Sequence, residues 1–132
     1  MSIDFDSIKD SGNIEKERII LKVTQACDLG KYMLAISKEI TEQTFSSNLQ
    51  NLYWFPDKEL KLGDLVVLYT KKGEKGNTIN EDGSTTYFYY WGLSTSLSKL
   101  EEKPCVVLLE STWKSLTVPQ PEPPSEIKSE SK

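Results

Sequence analysis

The side chains that most often carry chemistry are scarce in this chain, and those present are spaced wrongly for it. No histidine occurs in the 132 residues, which removes the usual general base, the usual proton shuttle and the commonest metal ligand together. Ser-His-Asp and Cys-His constellations are therefore excluded within the chain. Ser-x-x-Lys recurs at Ser96 and Lys99, Ser111 and Lys114, and Ser125 and Lys128. That spacing sets an ammonium beside a hydroxyl in penicillin-recognising enzymes, but their companion motifs and chain length are missing. Asn80, Glu81, Asp82 and Gly83 resemble part of a calcium loop, yet the register puts Thr78 at the first ligand position and Tyr89 where a bidentate Glu belongs. Gly73 and Gly76 lead into no Gly-Lys-Ser/Thr ending, so they form no phosphate cradle. Cys27 and Cys105 are too few and too far apart for a zinc site or a redox pair. They are expected to be free thiols. The chain is thus expected to be no enzyme and to carry no cofactor and no metal.

What the chain concentrates is aromatic area. Tyr87, Phe88, Tyr89, Tyr90 and Trp91 are consecutive. On a strand, Tyr87, Tyr89 and Trp91 fall on one face and Phe88 and Tyr90 on the other, so a strand covered on one side leaves at least two rings near solvent. Tyr and Trp mark interfaces because they join large apolar area to a polar handle. Burial of both faces in a two-layer core is the competing reading. The residues expected to meet a partner are Tyr87, Tyr89, Tyr90 and Trp91, with Lys71, Lys72 and Lys75 in the loop before them. Glu74 interrupts those lysines, which makes them a solvated tip before a phosphate site. Residues 71–84 are long for a hairpin loop, and long loops are kept mostly for binding.

Charge separates along the chain. Residues 1–17 hold five acids against two bases and residues 119–132 three against two, leaving twelve of each between them. A neutral middle lacks the cationic face that non-specific nucleic-acid binding requires. No stretch approaches a membrane span, and the N-terminal residues have neither a basic start nor an apolar block, so the protein is expected to be cytoplasmic with no membrane contact. The expected function is that of a non-catalytic protein-interaction module, adaptor or inhibitor-like, whose protein partner the sequence does not identify. The alternative is an accessory domain of a nucleic-acid-associated complex that does not itself bind nucleic acid directly.

The elements that must position these residues are strands. In residues 18–24 the apolar Ile19, Leu21 and Val23 alternate with Lys22 and Thr24, and residues 31–37 repeat the pattern with Tyr32, Leu34 and Ile36. Residues 64–70, 85–91 and 105–111 are unbroken apolar or aromatic runs and read as central strands covered on both faces. Gly30, Gly63 and the polar stretch of residues 71–84 separate them as turns. Gly63 supplies the positive φ that a tight turn before Asp64 asks for, and Pro56 belongs at a turn or strand edge. Helix is allowed only in residues 38–47 and 96–103, the second with Ser98 and Glu101 spaced as a capping box. The organisation expected is a loosely attached or disordered segment over residues 1–17, one all-β sandwich domain over residues 18–118, and a disordered Pro, Glu, Ser and Lys tail over residues 119–132.

The order of these segments resembles the lamin tail domain. Asp28, Leu29, Gly30 and Tyr32 are similar to that family's early turn into its second strand, with Tyr32 where the family usually has Trp. Phe55, Pro56, Leu60 and Gly63, leading into residues 65–68 and Tyr69, are similar to its central block. Trp91 and Gly92 resemble its Trp-Gly segment, and residues 105–110 its penultimate strand. The resemblance covers residues 18–118 and implies an immunoglobulin-like β-sandwich that serves as an interaction module. The family's usual Gly-Asp turn before the penultimate strand and Asp-x-x-Gly hairpin after it are replaced here by Glu101 to Pro104 and Ser111 to Lys114.

Overall fold

The computed structural model describes residues 1–41, 44–45 and 49–121. Its strands are β1 (Ile3–Lys9), β2 (Arg18–Val23), β3 (Cys27–Asp28), β4 (Tyr32–Thr41), β5 (Thr44–Phe45), β6 (Gln50–Trp54), β7 (Glu59–Leu60), β8 (Leu65–Tyr69), β9 (Gly76–Ile79), β10 (Thr85–Tyr90) and β11 (Pro104–Glu110). The period-two patterns in the sequence become their inner faces. Ile19, Leu21 and Val23 of β2 and Tyr32, Leu34 and Ile36 of β4 are all buried. Helical structure is limited to single 3-10 turns at Leu29–Lys31 and Leu97–Lys99. The chain is therefore all-β.

Two sheets bury their apolar faces against each other. The first runs β1-β2-β8-β10-β9 and the second is centred on β4, which pairs with β11 on one edge and with β6 and β5 on the other. Their joint core holds Ile3, Leu21, Val66, Leu68 and Tyr89 from the first sheet and Leu34 and Ile36 from the second. All neighbours are antiparallel except β8 and β10, which are parallel. The chain leaves β8, passes to β9 at the sheet edge, and returns along β10 into the position between them.

Several expectations are corrected. Residues 1–17 are not loosely attached, since β1 pairs with β2 along its length and Ile3 is fully buried. A bulge between Phe5 and Ser7 breaks the period of two, which is why the apolar positions Ile3, Phe5 and Ile8 do not read as a strand. β11 is an edge strand with half-exposed side chains, not a central one. No strand follows it among the described residues. The stretch of residues 71–84 contains β9 between an irregular connection over residues 71–75 and a turn closed by Asn80 N donating to Ser84 O at 2.7 Å. Residues 38–47 begin as the end of β4 and continue into β5, the remainder lying outside the described residues. Residues 96–103 give one 3-10 turn, and Ser96 makes no side-chain capping bond there. Residues 122–132, most of the expected tail, lie outside the described residues.

Turn chemistry otherwise follows the sequence. Gly63 has φ +95° and Asp64 locks the turn, its Oδ2 accepting from Lys61 N at 2.9 Å and its Oδ1 from Thr85 N at 3.0 Å. A buried acid without a sequence signal does similar work at the other end. Glu17 is fully buried, and its carboxylate accepts from Gly12 N and from Leu97 N, both at 2.9 Å. Its carbonyl oxygen accepts from Thr70 N at 3.2 Å. One side chain thus ties the β1–β2 connection to the turn before β11.

Removing that carboxylate leaves two inward-facing amides without an acceptor, each costing about 1–3 kcal/mol. Glu17→Ala is expected to lower stability by roughly 2–4 kcal/mol, read as a fall in urea midpoint at unchanged slope, while the exposed Glu15→Ala changes it by less than about 0.5 kcal/mol. Equal effects of the two would show that Glu17 is not the tie described.

Candidate functional site

The candidate site is the outer face of the first sheet. Cross-strand register places Ile20, Val67 and Phe88 side by side in one row and Arg18, Tyr69 and Tyr90 in the next. These alternate with the core positions, so they point away from the second sheet. Among the described residues no third sheet lies over them, but Val67 is buried and the loop after β8 lies against the Tyr90 ring. Tyr69 and Tyr90 stack with ring centroids 5.2 Å apart and planes 13° apart, and Phe88 lies 6.5 Å from Tyr69. The result is a half-exposed aromatic cluster continued by Ile20, with Val67 of the same row buried.

Cations frame the patch. Arg18 Cζ sits 5.8 Å from the Tyr69 ring centroid and Lys71 Nζ 5.7 Å from it. Each is also partnered by an acid, with Arg18 Nη1 at 2.7 Å from Asp10 Oδ2 and Lys71 Nζ at 3.8 Å from Glu15 Oε1. An open depression of about 460 Å³ lies between these charges and the two tyrosines. The loop after β8 crosses the end of the patch at Gly73, where any Cβ would collide with the Tyr90 ring. Glycine is required there because the backbone itself rests on the ring.

The residues expected to meet a partner divide between the two faces. Tyr89 is a core residue, 5% exposed, with its ring 5.6 Å from that of Phe55. Tyr87 and Trp91 share its face and pack partly against the core. Only Tyr90 of the four lies on the outer face, and Phe88, which was not among them, lies beside it. The lysines also separate. Lys71 joins the patch, Lys72 lies with Ile14 and Leu93 at the sheet end, and Lys75 lines a cleft with Pro56 and Tyr87. Both faces of this strand are aromatic in the sequence, so parity alone did not reveal which one turns outward. Tyr69, Ile20 and Arg18 carried no separate signal, because each reads simply as part of an ordinary strand.

Chemically the patch offers ring faces and two neutralised cations, and no proton-transfer pair. No group of three or more Cys, Asp or Glu residues is arranged to hold a metal among the described residues. Cys27 and Cys105 are free thiols on β3 and β11, and burial, followed by the charges of Glu110, Asp28 and Glu59, pushes the Cys27 thiol up. No helix among the described residues is long and apolar enough to cross a membrane. Scans against protein-family models and curated proteins return no match for this chain.

Tyr89 supplies a test of which face is core. Burial, then the neighbouring Tyr53 and Tyr87, push its phenol from the ordinary 10.0 up to about 12. The fold holds the neutral form, so this contribution to stability is complete below the ordinary value and is lost as pH rises through about 12. Tyr89→Phe is expected to weaken the alkaline loss of stability in that window, followed by denaturant melts at stepped pH. An unchanged alkaline profile would place Tyr89 in water.

Proposed function

We propose that this chain is a non-catalytic interaction module that grips a protein partner on the outer face of its first sheet. The observation that carries this is the half-exposed outer-face cluster of Phe88, Tyr69 and Tyr90, extended by Ile20. Half-exposed aromatic side chains grouped on one sheet face suit an interaction site, because rigid aromatic side chains supply much of the energy of such contacts. The neutralising acids favour a protein over a nucleic acid. Asp10 and Glu15 occupy the cations that would otherwise meet phosphates.

We read the sandwich as the immunoglobulin-like type of the lamin tail domain, a class that serves interaction. Support comes from the central block, where Phe55 enters the core, Pro56 turns the chain, Gly63 takes positive φ and β8 ends at Tyr69. The parallel pairing of β8 with β10, and the lack of a closing hairpin after β11 among the described residues, depart from that pattern. A cytoplasmic setting accords with two free cysteines.

The test uses the tagged full chain to capture proteins from its native cell, with single variants in parallel. Phe88→Ala and Tyr90→Ala are expected to cost about 2 kcal/mol of affinity for the captured protein at little change in melting temperature. Tyr89→Ala is expected to destabilise by roughly 3–5 kcal/mol as a large-to-small core change. Capture that survives both outer-face variants, or that yields only nucleic acid, overturns the proposal.

A further inference from the structure

The two sheets are unequal on the side where β1 and β11 form their edges. Phe5 pairs with the buried Leu21 and Ile8 with the buried Ile19, so the bulge between Phe5 and Ser7 keeps both on the core face. Yet Phe5 is 37% exposed and Ile8 44%. The reason is that no strand of the second sheet lies over them. β11, the last strand on that side, leaves its outer edge unpaired.

The uncovered space runs beside β11. One groove of about 410 Å³ lies between Phe5 and Met1 on one side and Val106, Val107 and Leu108 on the other. A second, of about 120 Å³, continues it between Ile8 and Ser11 and the Pro104 end of β11. Together they border residues 104–108 of β11. The edge strand β1 is protected by its bulge and charges, and the edge strand β9 is only four residues long with no buried side chain. Residues 105–109 carry no charge, proline or glycine. An undefended apolar edge of this kind is a template for one more strand.

The chain also carries a segment suited to fill such a slot. Ser115, Leu116, Thr117 and Val118 alternate polar and apolar ahead of Pro119, and Leu116 is 91% and Val118 71% exposed. In its own molecule this segment is led away from the slot. Ser111 N donates to Lys31 O at 2.9 Å, and the Trp113 ring meets Trp54 edge-on at 4.9 Å. Trp54 lies on β6, across β4 from β11. The groove rim bears Asp4 and Glu39, complementary to Lys114 at the head of the segment.

We propose that the slot beside β11 receives residues 115–118 of a second copy of this chain as an added strand, so that the protein self-associates by exchanging its C-terminal segments. Leu116 and Val118 enter the groove over Phe5 and Ile8, and the backbone pairs with the free edge of β11. Reciprocal exchange closes a dimer, while one-way exchange adds further copies. This surface is separate from the aromatic face, and failure of either reading leaves the other standing.

Sedimentation of the full chain over roughly 5–500 µM is expected to show a concentration-dependent shift from monomer to dimer or larger species. A chain carrying Leu116→Asp with Val118→Asp, both at exposed positions, stays monomeric at unchanged melting temperature. Phe5→Lys, which charges the slot, also stays monomeric. An equimolar mixture of these two variants forms a one-to-one complex, because one still offers its segment and the other its slot. A synthetic peptide of residues 113–121 binds the doubly substituted chain at least about tenfold more tightly than it binds the Phe5→Lys chain. Where Phe5→Lys fails to fold, Ile8→Lys replaces it in both assays. A full chain that is monomeric throughout overturns the proposal, and free-peptide binding in that case assigns the slot to a strand of its own molecule or of a different protein. A mixture that fails to associate overturns it equally.

Discussion

Phe55 holds the two sheets together. It follows β6 of the second sheet, is nearly fully buried, and meets Tyr53 edge-on at 5.0 Å and Tyr89 of the first sheet edge-on at 5.6 Å. Its amide donates to Tyr32 O at 3.2 Å, which fixes where the chain leaves β4's flank. Edge-to-face rings contribute beyond their buried area and accept a narrow range of angles. Because Tyr89 must face Phe55, Phe88 and Tyr90 must face away. The aromatic patch is therefore a consequence of core packing, as one strand with rings on both faces can bury only one of them here.

Tyr32 plays the corresponding part at the side seam. It is fully buried, yet its hydroxyl donates to Glu110 Oε2 at 2.9 Å and accepts from Ser2 N at 3.2 Å. Burial and the bond to Glu110 push its phenol up from the ordinary value, so it remains a donor at neutral pH. The start of β1 and the end of β11 are thereby held side by side without pairing. The seam between the sheets is open by construction, with polar groups joining one end and apolar side chains lining the rest.

The sequence made the centre of the fold legible and its margins less so. β2, β4 and β8 show their inner faces by alternation or by apolar runs, and Gly63 marks its turn. β1 is hidden because one bulged residue spoils its period, and β9 because a fully exposed edge strand has no apolar face to display. β11 misleads in the other direction. An unbroken apolar run signals cover on both faces but says nothing about whether both hydrogen-bonding edges are paired, and here one is not. The aromatic run was visible as a candidate site, but its outward face depends on Phe55, some thirty residues away. Glu17 illustrates the limit, since nothing distinguishes a buried acid from the exposed Glu15 beside it until Gly12 and Leu97 are seen to converge on it.

The seating of β10 between β8 and β9 has a kinetic side. The β9–β10 hairpin is local, joined by a short turn, and such hairpins form within microseconds. Its pairing with β8 is parallel and cannot zip outward from a turn, so the hairpin must arrive as a unit and slide its inner strand against a waiting edge. In the folded chain the connecting loop passes over the finished pair at Gly73, where the Tyr90 ring leaves no room for a side chain. Until β10 is seated, the edge of β8 that it occupies has no strand beside it. A parallel neighbour that cannot zip from a local turn is the kind of edge at which a sheet protein is open to misassembly while it folds.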